Sequence, residues 1–393
     1  MYAITDTAAV NMIESYCRSW RIIIMDRSSG RNYMGESVMR ADSDISTTAD
    51  SDDIEFGAVC AGEWTMSVYN PDKVPFLGNE IDIRLCLARQ DGADTELTWA
   101  DLVNRLWGSY SGYTWEQISQ LNKVLGEPIP MGSYICIKAR NSGDVTELTL
   151  CDRLYFSDKE YIPGITLPAS CEAVEQDILD QLGIENGTER YVNAELMDNA
   201  QRALRTSDNL QLIVSGYSFT ISSGRIPEGC TMRQMLGYIA SCLGQFGYID
   251  RFGRYVRKWY GRSVKTIDPN TADTPTLSEK PNRITGLICT SGENTYTAGD
   301  ITGRTGRVIE FENPFMTQTL FNSLWRRLDI EGFEWYTAEL YHRLGDPRFD
   351  PGDVITYDGC DIPITTLSYG FDGGLWANIS AAGRSYEEEV LPT

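Results

Sequence analysis

Short apolar runs that alternate with polar residues dominate the first and the last third of the chain, and this two-residue period predicts β-strands. In the first third, the predicted strands are Trp20–Asp26, Trp64–Tyr69, Ile81–Ala88, Tyr134–Arg140 and Val145–Cys151. In the last third, they are Phe333–Leu344, Val354–Tyr357, Ile362–Tyr369 and Leu375–Ala381. We predict a first small β-barrel domain at residues 1–165 and a second at 283–393, with a short acidic tail.

Between these regions the apolar period lengthens to that of a helix. The predicted helix starts and stops are two hydroxyl N-caps and two glycines, Ser170 with Gly183 and Thr231 with Gly244. A strand at Leu210–Ile221 and a hairpin at 247–260 accompany these helices. We therefore predict an α/β middle domain at residues 166–282, in which the polar, proline-containing residues 261–282 are typical of a linker or strap.

Two further helical patterns lie inside the β regions. Residues 95–127 interrupt the first barrel with capping motifs and end in Leu125 and Gly126, which predicts a helical insertion. In the last third, Asn313-Pro314 is typical of a helix start. The apolar positions of that helix are Leu320, Leu324 and Leu328.

Two distant stretches, residues 78–152 and 352–383, resemble copies of one β unit. In each, a glycine precedes a strand, an Ile-Pro step follows, and a hairpin closes around a glycine-containing turn. These features are Gly78 and Gly352, Ile129-Pro130 and Ile362-Pro363, and Asn141–Asp144 and Asp372–Gly374. Two similar units in one chain suit a ring, because three chains would supply six units.

Charge and length narrow the class of protein. The 393 residues carry 34 lysines and arginines against 56 acids, a net charge of −22. Such a surface repels phosphate, so it disfavours sequence-specific nucleic-acid binding. It would suit the wall of a channel through which nucleic acid passes, although simple solubility is the plainer explanation. No run reaches the roughly 18 apolar residues of a membrane span, and no signal-peptide pattern opens the chain. We expect synthesis in a cytoplasm and no stable membrane insertion.

The ten cysteines point to packing and not to chemistry. None forms a C-x-x-C pair, and several lie in strand patterns, as Cys86 and Cys136 do. We expect reduced, buried cysteines and neither a disulfide framework nor a zinc site.

Candidate catalytic groups are few. His342 is the only histidine and lies in a strand pattern, so a structural residue at the surface or half-buried is expected. The glycine-rich Gly299–Gly306 lacks the lysine of a phosphate-binding loop and predicts a flexible loop. The acidic stretch from Glu36 to Glu63 lacks the central glycine of a calcium loop and predicts a solvated loop. We predict no catalytic, cofactor-binding or metal-binding residue.

A glycan-directed function remains the alternative. Two carboxylates about 5–10 Å apart would make a glycosidase site, and sequence cannot show such a pair. Aromatic residues would suit a sugar-binding face. Most tryptophans, however, fall in predicted strands or helices, where core packing is expected: Trp20, Trp64, Trp99, Trp115, Trp259, Trp325, Trp335 and Trp376.

Four segments in order resemble the tail hub proteins of tailed bacteriophages and related prophage particles. That family includes the hub of T-even-type baseplates and the N-terminal part of tail-associated lysins. The segments are Ser51–Ala61, Gly132–Phe156, Thr231–Trp259, and Leu344–Pro347 followed by Asp350–Ile355. Together they span most of residues 20–385. The insertion at 95–127 is not part of the minimal pattern, and we expect no lysin or receptor-binding extension after the last barrel.

The resemblance implies two related barrels that flank an α/β domain. It also implies a non-enzymatic homotrimer at the distal tail tip of a virion, assembled in the host bacterial cytoplasm. Its six barrels would form a pseudo-six-fold ring that joins a tail tube or distal tail protein to a spike or fibre. The channel of this ring would pass DNA and the tape-measure protein. Against this stands the alternative of a cell-wall glycan-binding module or hydrolase.

Overall fold

A computed structural model describes residues 1–15, 18–49, 53–88, 124–188, 219–303, 306–331 and 333–383. Strands predominate in these ranges and are joined by four α-helices. The strands are β1 (Trp20–Asp26), β2 (Arg31–Met34), β3 (Val38–Ser46), β4 (Glu63–Tyr69), β5 (Glu80–Ala88), β6 (Val124–Ser142), β7 (Val145–Cys151), β8 (Ala169–Ser170), β9 (Glu185–Asn186), β10 (Thr220–Ile221), β11 (Phe246–Ile249), β12 (Arg254–Lys258), β13 (Ser263–Ile267), β14 (Ala272–Leu277), β15 (Asn282–Ser291), β16 (Asn294–Gly299), β17 (Arg307–Glu312), β18 (Glu334–Trp335), β19 (Ala338–His342), β20 (Val354–Tyr357), β21 (Cys360–Pro363), β22 (Thr366–Phe371) and β23 (Leu375–Ala381). The helices are α1 (Thr7–Ile13), α2 (Cys171–Leu182), α3 (Met232–Cys242) and α4 (Gln318–Glu331), and 3₁₀ turns occupy Gly35–Ser37, Arg153–Asp158, Ser223–Arg225 and Pro269–Thr271.

The strand predictions hold where one face of the strand is buried. β1, β7, β20 and β23 have the predicted bounds, and β4 and β5 begin one residue earlier. The predicted strand 333–344 is divided into β18 and β19, and the strand 362–369 contributes to β21 and β22. The prediction of a mainly β protein is therefore confirmed.

The middle helices also follow their local signals. The Ser170 hydroxyl caps α2, and Gly183 ends the helix with a φ of 67°. The reciprocal capping box of Thr231 and Gln234 is present at the start of α3. The start of α4 was predicted wrongly: Asn313-Pro314 forms a turn, and the Thr317 hydroxyl accepts a hydrogen bond from Leu320 N–H at 3.3 Å, so the helix begins at Gln318.

Three other predictions need correction or fall outside the described residues. Residues 261–282 are not a linker, because β13 and β14 pair with other strands there. The acidic stretch is not only a solvated loop, since Asp42 and Asp44 belong to β3. Most of the predicted insertion and the strand at 210–218 lie outside the described residues, as does the acidic tail. Where the insertion was expected to end, residues 124–127 open strand β6.

The largest sheet has eleven strands in the order β14-β19-β23-β22-β3-β4-β7-β6-β5-β1-β2. β14 and β2 are its two ends, and no pairing among the described strands closes it into a barrel. Strands from the first and the last third of the chain thus share one sheet, and the two predicted closed barrels are not confirmed. The predicted domain boundaries remain predictions.

Two hydrophobic cores lie in this architecture. The first lies against the large sheet and joins residues of both ends of the chain, among them Ile22, Leu150 and Ile379. The second is built from α2, α3, α4, the β11–β12 hairpin and strands β15 and β17. The chain leaves the large sheet three times to enter the second core, between β3 and β4, between β7 and β14, and between β14 and β19. Strands β14 and β19 correspond in sheet position to β3 and β4. The same kind of excursion therefore occurs at corresponding places in the two terminal regions.

Candidate assembly interface

The strand order of the large sheet, taken together with the separate three-stranded sheet β13-β20-β21, contains an internal repeat. Unit 1 is the series β3-β4-β7-β6-β5-β1, and its strands occur along the chain as β1, β3, β4, β5, β6 and β7. Unit 2 is the series β14-β19-β23-β22 continued by β21-β20-β13, and its chain order is the same if β21 and β22 together correspond to β6. The long strand β6 pairs with β5 through its first half and with β7 through its second half. In unit 2, β21 pairs with β20 and β22 pairs with β23, so two strands together make the pairings that β6 makes alone.

A shared hydrogen-bond pattern supports this correspondence at single residues. Gly78 N–H donates to Cys136 O at 2.8 Å, and Cys136 N–H donates to Asn79 O at 3.0 Å. In unit 2, Gly352 N–H donates to Ile364 O and Ile364 N–H donates to Asp353 O, both at 2.7 Å. The two glycines have φ values of 80° and 79°, a region that favours glycine. The glycines identified in the sequence are thus structurally equivalent.

Two details differ between the units. Pro130 faces Arg84 in the ladder, whereas Pro363 faces Val354, so the two Ile-Pro steps lie at different distances from their glycines and are not equivalent. β1 is antiparallel to β5, but β13 is parallel to β20. The repeat therefore lies in strand order and hairpin register, and not in every sequence feature that first indicated it.

The two units join inside one chain through β22 and β3, which pair antiparallel. Leu367 faces Ile45 and Phe371 faces Ala41 in this joint. In the middle of the joint, the backbone partners are replaced by a side chain: Tyr369 N–H donates to the Ser43 hydroxyl at 2.9 Å. We call this pair of strands the intramolecular joint.

A buried charge cluster lies beside the joint, in the segment 344–353 that carried part of the resemblance. The Asp346 carboxylate accepts hydrogen bonds from Arg348 Nη2 at 2.7 Å and from Lys265 Nζ at 3.0 Å. Both Asp346 and Arg348 are buried. Although burial acts in the opposite direction, the Arg348 hydrogen bonds and the Lys265 charge hold the pKa of Asp346 below its usual value. The carboxylate therefore stays charged and ties β13 to the segment 344–353.

Arg251, in the turn between β11 and β12, connects three parts of the molecule. Its Nε and Nη2 donate to Asp350 Oδ1 at 2.9 and 2.5 Å. Its guanidinium also donates to three backbone carbonyls, those of Pro130 at 3.2 Å and of Pro347 and Phe349 at 3.0 Å. Only 6% of the side chain is exposed. Because Pro130 is in β6 of unit 1 and the other acceptors precede β20 of unit 2, Arg251 fastens the two units together.

His342 is buried, and the prediction of a surface or half-buried histidine is wrong. In β19 it shares the buried face with Ala338 and Leu340, as the two-residue alternation of a strand requires. Burial, followed by the nearby charge of Arg18, lowers the pKa of His342 to about 4. The neutral ring therefore packs in the first core.

This burial predicts a pH-dependent loss of stability. An unfolded histidine binds its proton below about pH 6.5, whereas folded His342 does so only near pH 4. Between these values the unfolded state binds more protons, so lowering the pH from 6.5 to 4 should cost about 3 kcal/mol. With one histidine in the chain, an NMR titration of ¹³C-labelled histidine gives a single assigned curve. A midpoint near pH 6.5 would contradict the prediction, and a His342→Gln variant should lose this part of the pH dependence.

The remaining sequence candidates have structural surroundings. The nine described cysteines are free thiols; Cys60 and Cys360 are half-buried and the others are buried, as expected. Burial raises the pKa of Cys86 to about 12 and that of Cys60 to about 11, so neither is a ready nucleophile. Trp20, Trp64, Trp259 and Trp335 lie in the cores. Within the described ranges, no three His, Cys, Asp or Glu side chains are grouped to hold a metal ion.

Two features went unnoticed in the sequence. The role of Arg251 could not be read from its sequence neighbours, since its four acceptor atoms come from two distant segments, Pro130 and residues 347–350. The high density of Asp, Pro and Gly residues in 346–353 was the only local signal for the charge cluster.

In the part of the chain that the structure describes, no helix is long and apolar enough to cross a bilayer.

Comparison with known proteins gives structural matches only. No protein-family model and no curated protein sequence matches the chain significantly. A tail protein from Neisseria meningitidis MC58 superposes with a TM-score of 0.51 at 12% identity, over 92% of this chain and 96% of its own. The 43 kDa tail protein of prophage MuSo2 from Shewanella oneidensis gives a TM-score of 0.50 at 12% identity, over 92% and 97%.

The chain has the fold of these tail proteins. The likeness extends over almost the full length of both partners, so it includes both units and the second core. The resemblance that the four sequence segments indicated is therefore confirmed at the level of the fold.

Proposed function

We propose that the chain is a structural hub at the distal end of a phage tail or tail-like particle. In this proposal three copies form a ring in which the six sheet units are arranged with pseudo-six-fold symmetry. One observation carries it: a chain with a tail-protein fold contains two units of the same strand order, already joined edge to edge. Three such chains supply the six similar units that a six-fold neighbour requires.

The ring would match symmetries between a six-fold tail tube or distal tail ring and a three-fold spike or fibre. Its channel would pass DNA and the tape-measure protein, and the net charge of −22 would limit binding of the DNA backbone. The particle would be assembled in the host bacterial cytoplasm. A non-enzymatic role fits the buried, neutral His342 and the raised cysteine pKa values.

Negative-stain electron microscopy of the purified chain at high concentration tests this proposal. We expect three-fold rings with a central hole, and light scattering should give the mass of three 44.1 kDa chains. Rings should also bind tail-tube or spike proteins. Clearing of purified cell walls in a zymogram, or thermal protection by glycan fragments, would contradict the structural role and favour the glycan-directed alternative.

A further inference from the structure

The intramolecular joint uses one edge of β22 and one edge of β3, and each of these edges has a counterpart in the other unit. In unit 2, β22 pairs with β23 on one side and with β3 on the other. The corresponding second half of β6 pairs with β7 on one side, and beyond Cys136 its other side has no strand partner among the described residues. Residues 138–142 there are all exposed. A row of unpaired backbone groups of this kind is a template for another strand.

The other edge of the joint, that of β3, also has a counterpart. β3 lies between β4 and β22, and the corresponding strand β14 pairs with β19 alone in the described part of the chain. β14 is consequently an end of the eleven-stranded sheet, with Pro275 and Thr276 exposed. Among its described residues, a single chain thus carries two complementary edges without a strand partner, and they correspond to the two edges that pair in the joint.

The ladders define which residues correspond. The buried faces align Leu148 with Ile379, and through the ladders Ala139 corresponds to Leu367 and Ser142 to Gly370. Counting across β4 and β19 aligns β3 with β14. The aligned pairs are Arg40 with Asp273, Asp42 with Thr276, and Ser43 with Leu277. β14 has one residue more than β3 between the first two of these pairs, at a place where it contains Pro275, and an edge strand tolerates such a proline.

We infer that the edge of residues 138–142 in one protomer pairs antiparallel with the edge of β14 in the next copy of this chain. This inference rests on the proposed ring and specifies its joint. Ser142 then faces Thr276, as Gly370 faces Asp42 in the intramolecular joint.

Charge and symmetry agree with this pairing. Lys138 and Arg140 give the β6 edge a positive charge in an acidic chain, and Asp273 on the β14 edge, which is paired with Arg343 at 2.8 Å, keeps 41% of its side chain exposed. Because the two edges differ, the contact is heterologous and passes from copy to copy in one direction. Such a contact closes into a ring if its rotation matches that of the intramolecular joint.

Disulfide trapping in the full chain tests the register. The variant Ser142→Cys with Thr276→Cys places two cysteines at directly opposed positions, where an antiparallel pair brings Cα atoms within disulfide range. The control Lys138→Cys with Thr276→Cys shares one substitution but is displaced by four residues, roughly 13 Å along the strand. The native cysteines are common to both, and the unsubstituted chain gives the background. After mild oxidation at high concentration, we expect roughly tenfold more intermolecular cross-link in the first variant.

The outcomes separate this inference from the proposed function. A cross-link ladder that ends at three chains supports both. A ladder that continues past three supports the edge pairing and contradicts the trimeric ring. Equal cross-linking of both variants in samples that show three-fold rings overturns the edge pairing and leaves the hub intact. A chain that stays monomeric and uncross-linked at every concentration also overturns the pairing, because both edges are present in this chain and need no other protein in order to pair.

Discussion

Replacement of Arg251 by methionine is expected to lower the free energy of unfolding by about 3–5 kcal/mol. The guanidinium makes two bonds to Asp350 and three to the carbonyls of Pro130, Pro347 and Phe349. Methionine fills similar volume but leaves those acceptors without their donor in a largely buried place. Urea unfolding, followed by tryptophan fluorescence, measures the loss.

Two further variants locate the cause. Arg251→Lys keeps the charge but cannot span a carboxylate and three carbonyls, so it should lose an intermediate amount. Arg31→Met removes an exposed cation, 3.4 Å from Asp72, with 52% of its side chain exposed. That control should change the free energy of unfolding by less than about 1 kcal/mol. Similar losses for Arg251→Met and Arg31→Met would mean that Arg251 does not fasten the two units. Because Arg251 connects them, its loss should also reduce the fraction of rings seen by electron microscopy.

Replacement of Glu175 by glutamine should have an effect of the same size in the second core. Arg257 on β12 forms a two-pronged ion pair with Glu175 on α2, and its Nη1 donates to Gln245 Oε1 at 2.7 Å. The side chains of Arg257 and Glu175 are 3% and 1% exposed. Glutamine keeps the shape of Glu175 but leaves the arginine charge buried without its counterion. We expect a loss of about 3–5 kcal/mol in the free energy of unfolding.

A double variant and an exposed pair serve as controls for this prediction. Glu175→Gln combined with Arg257→Met removes both charges and should regain most of the lost stability, since the penalty comes from the unpaired charge. Glu334→Gln acts on an ion pair with Arg283 whose side chains are about half exposed and 3.9 Å apart, so its effect should stay below about 1 kcal/mol. If Glu175→Gln lost no more stability than Glu334→Gln, the buried arginine charge would have to be solvated in some other way.

Local sequence signals predicted the elements whose one face is buried. Alternate residues of β1 face the first core, and α3 begins with a complete capping box. A short stretch of sequence therefore contained enough information to predict each element. The predictions failed for segments that lack one clearly buried face or whose local signal serves another conformation. β13 and β14 were taken for a linker because most of their side chains stay partly or fully exposed and show no clean alternation. Asn313-Pro314 carried a helix-start signal that the chain uses for a turn.

The sequence by itself determined the strands of the two units, the helices of the middle region and the resemblance to tail hubs. It also indicated the repeat through Gly78 and Gly352, which adopt the same backbone conformation. Only the tertiary structure decided that β22 pairs with β3, that Arg251 joins the units and that one strand edge of each unit has no partner among the described residues. The physical reason is that apolar periodicity reports which face of a strand is buried. The backbone groups along a strand edge are the same for every residue, and so they do not specify which partner they meet.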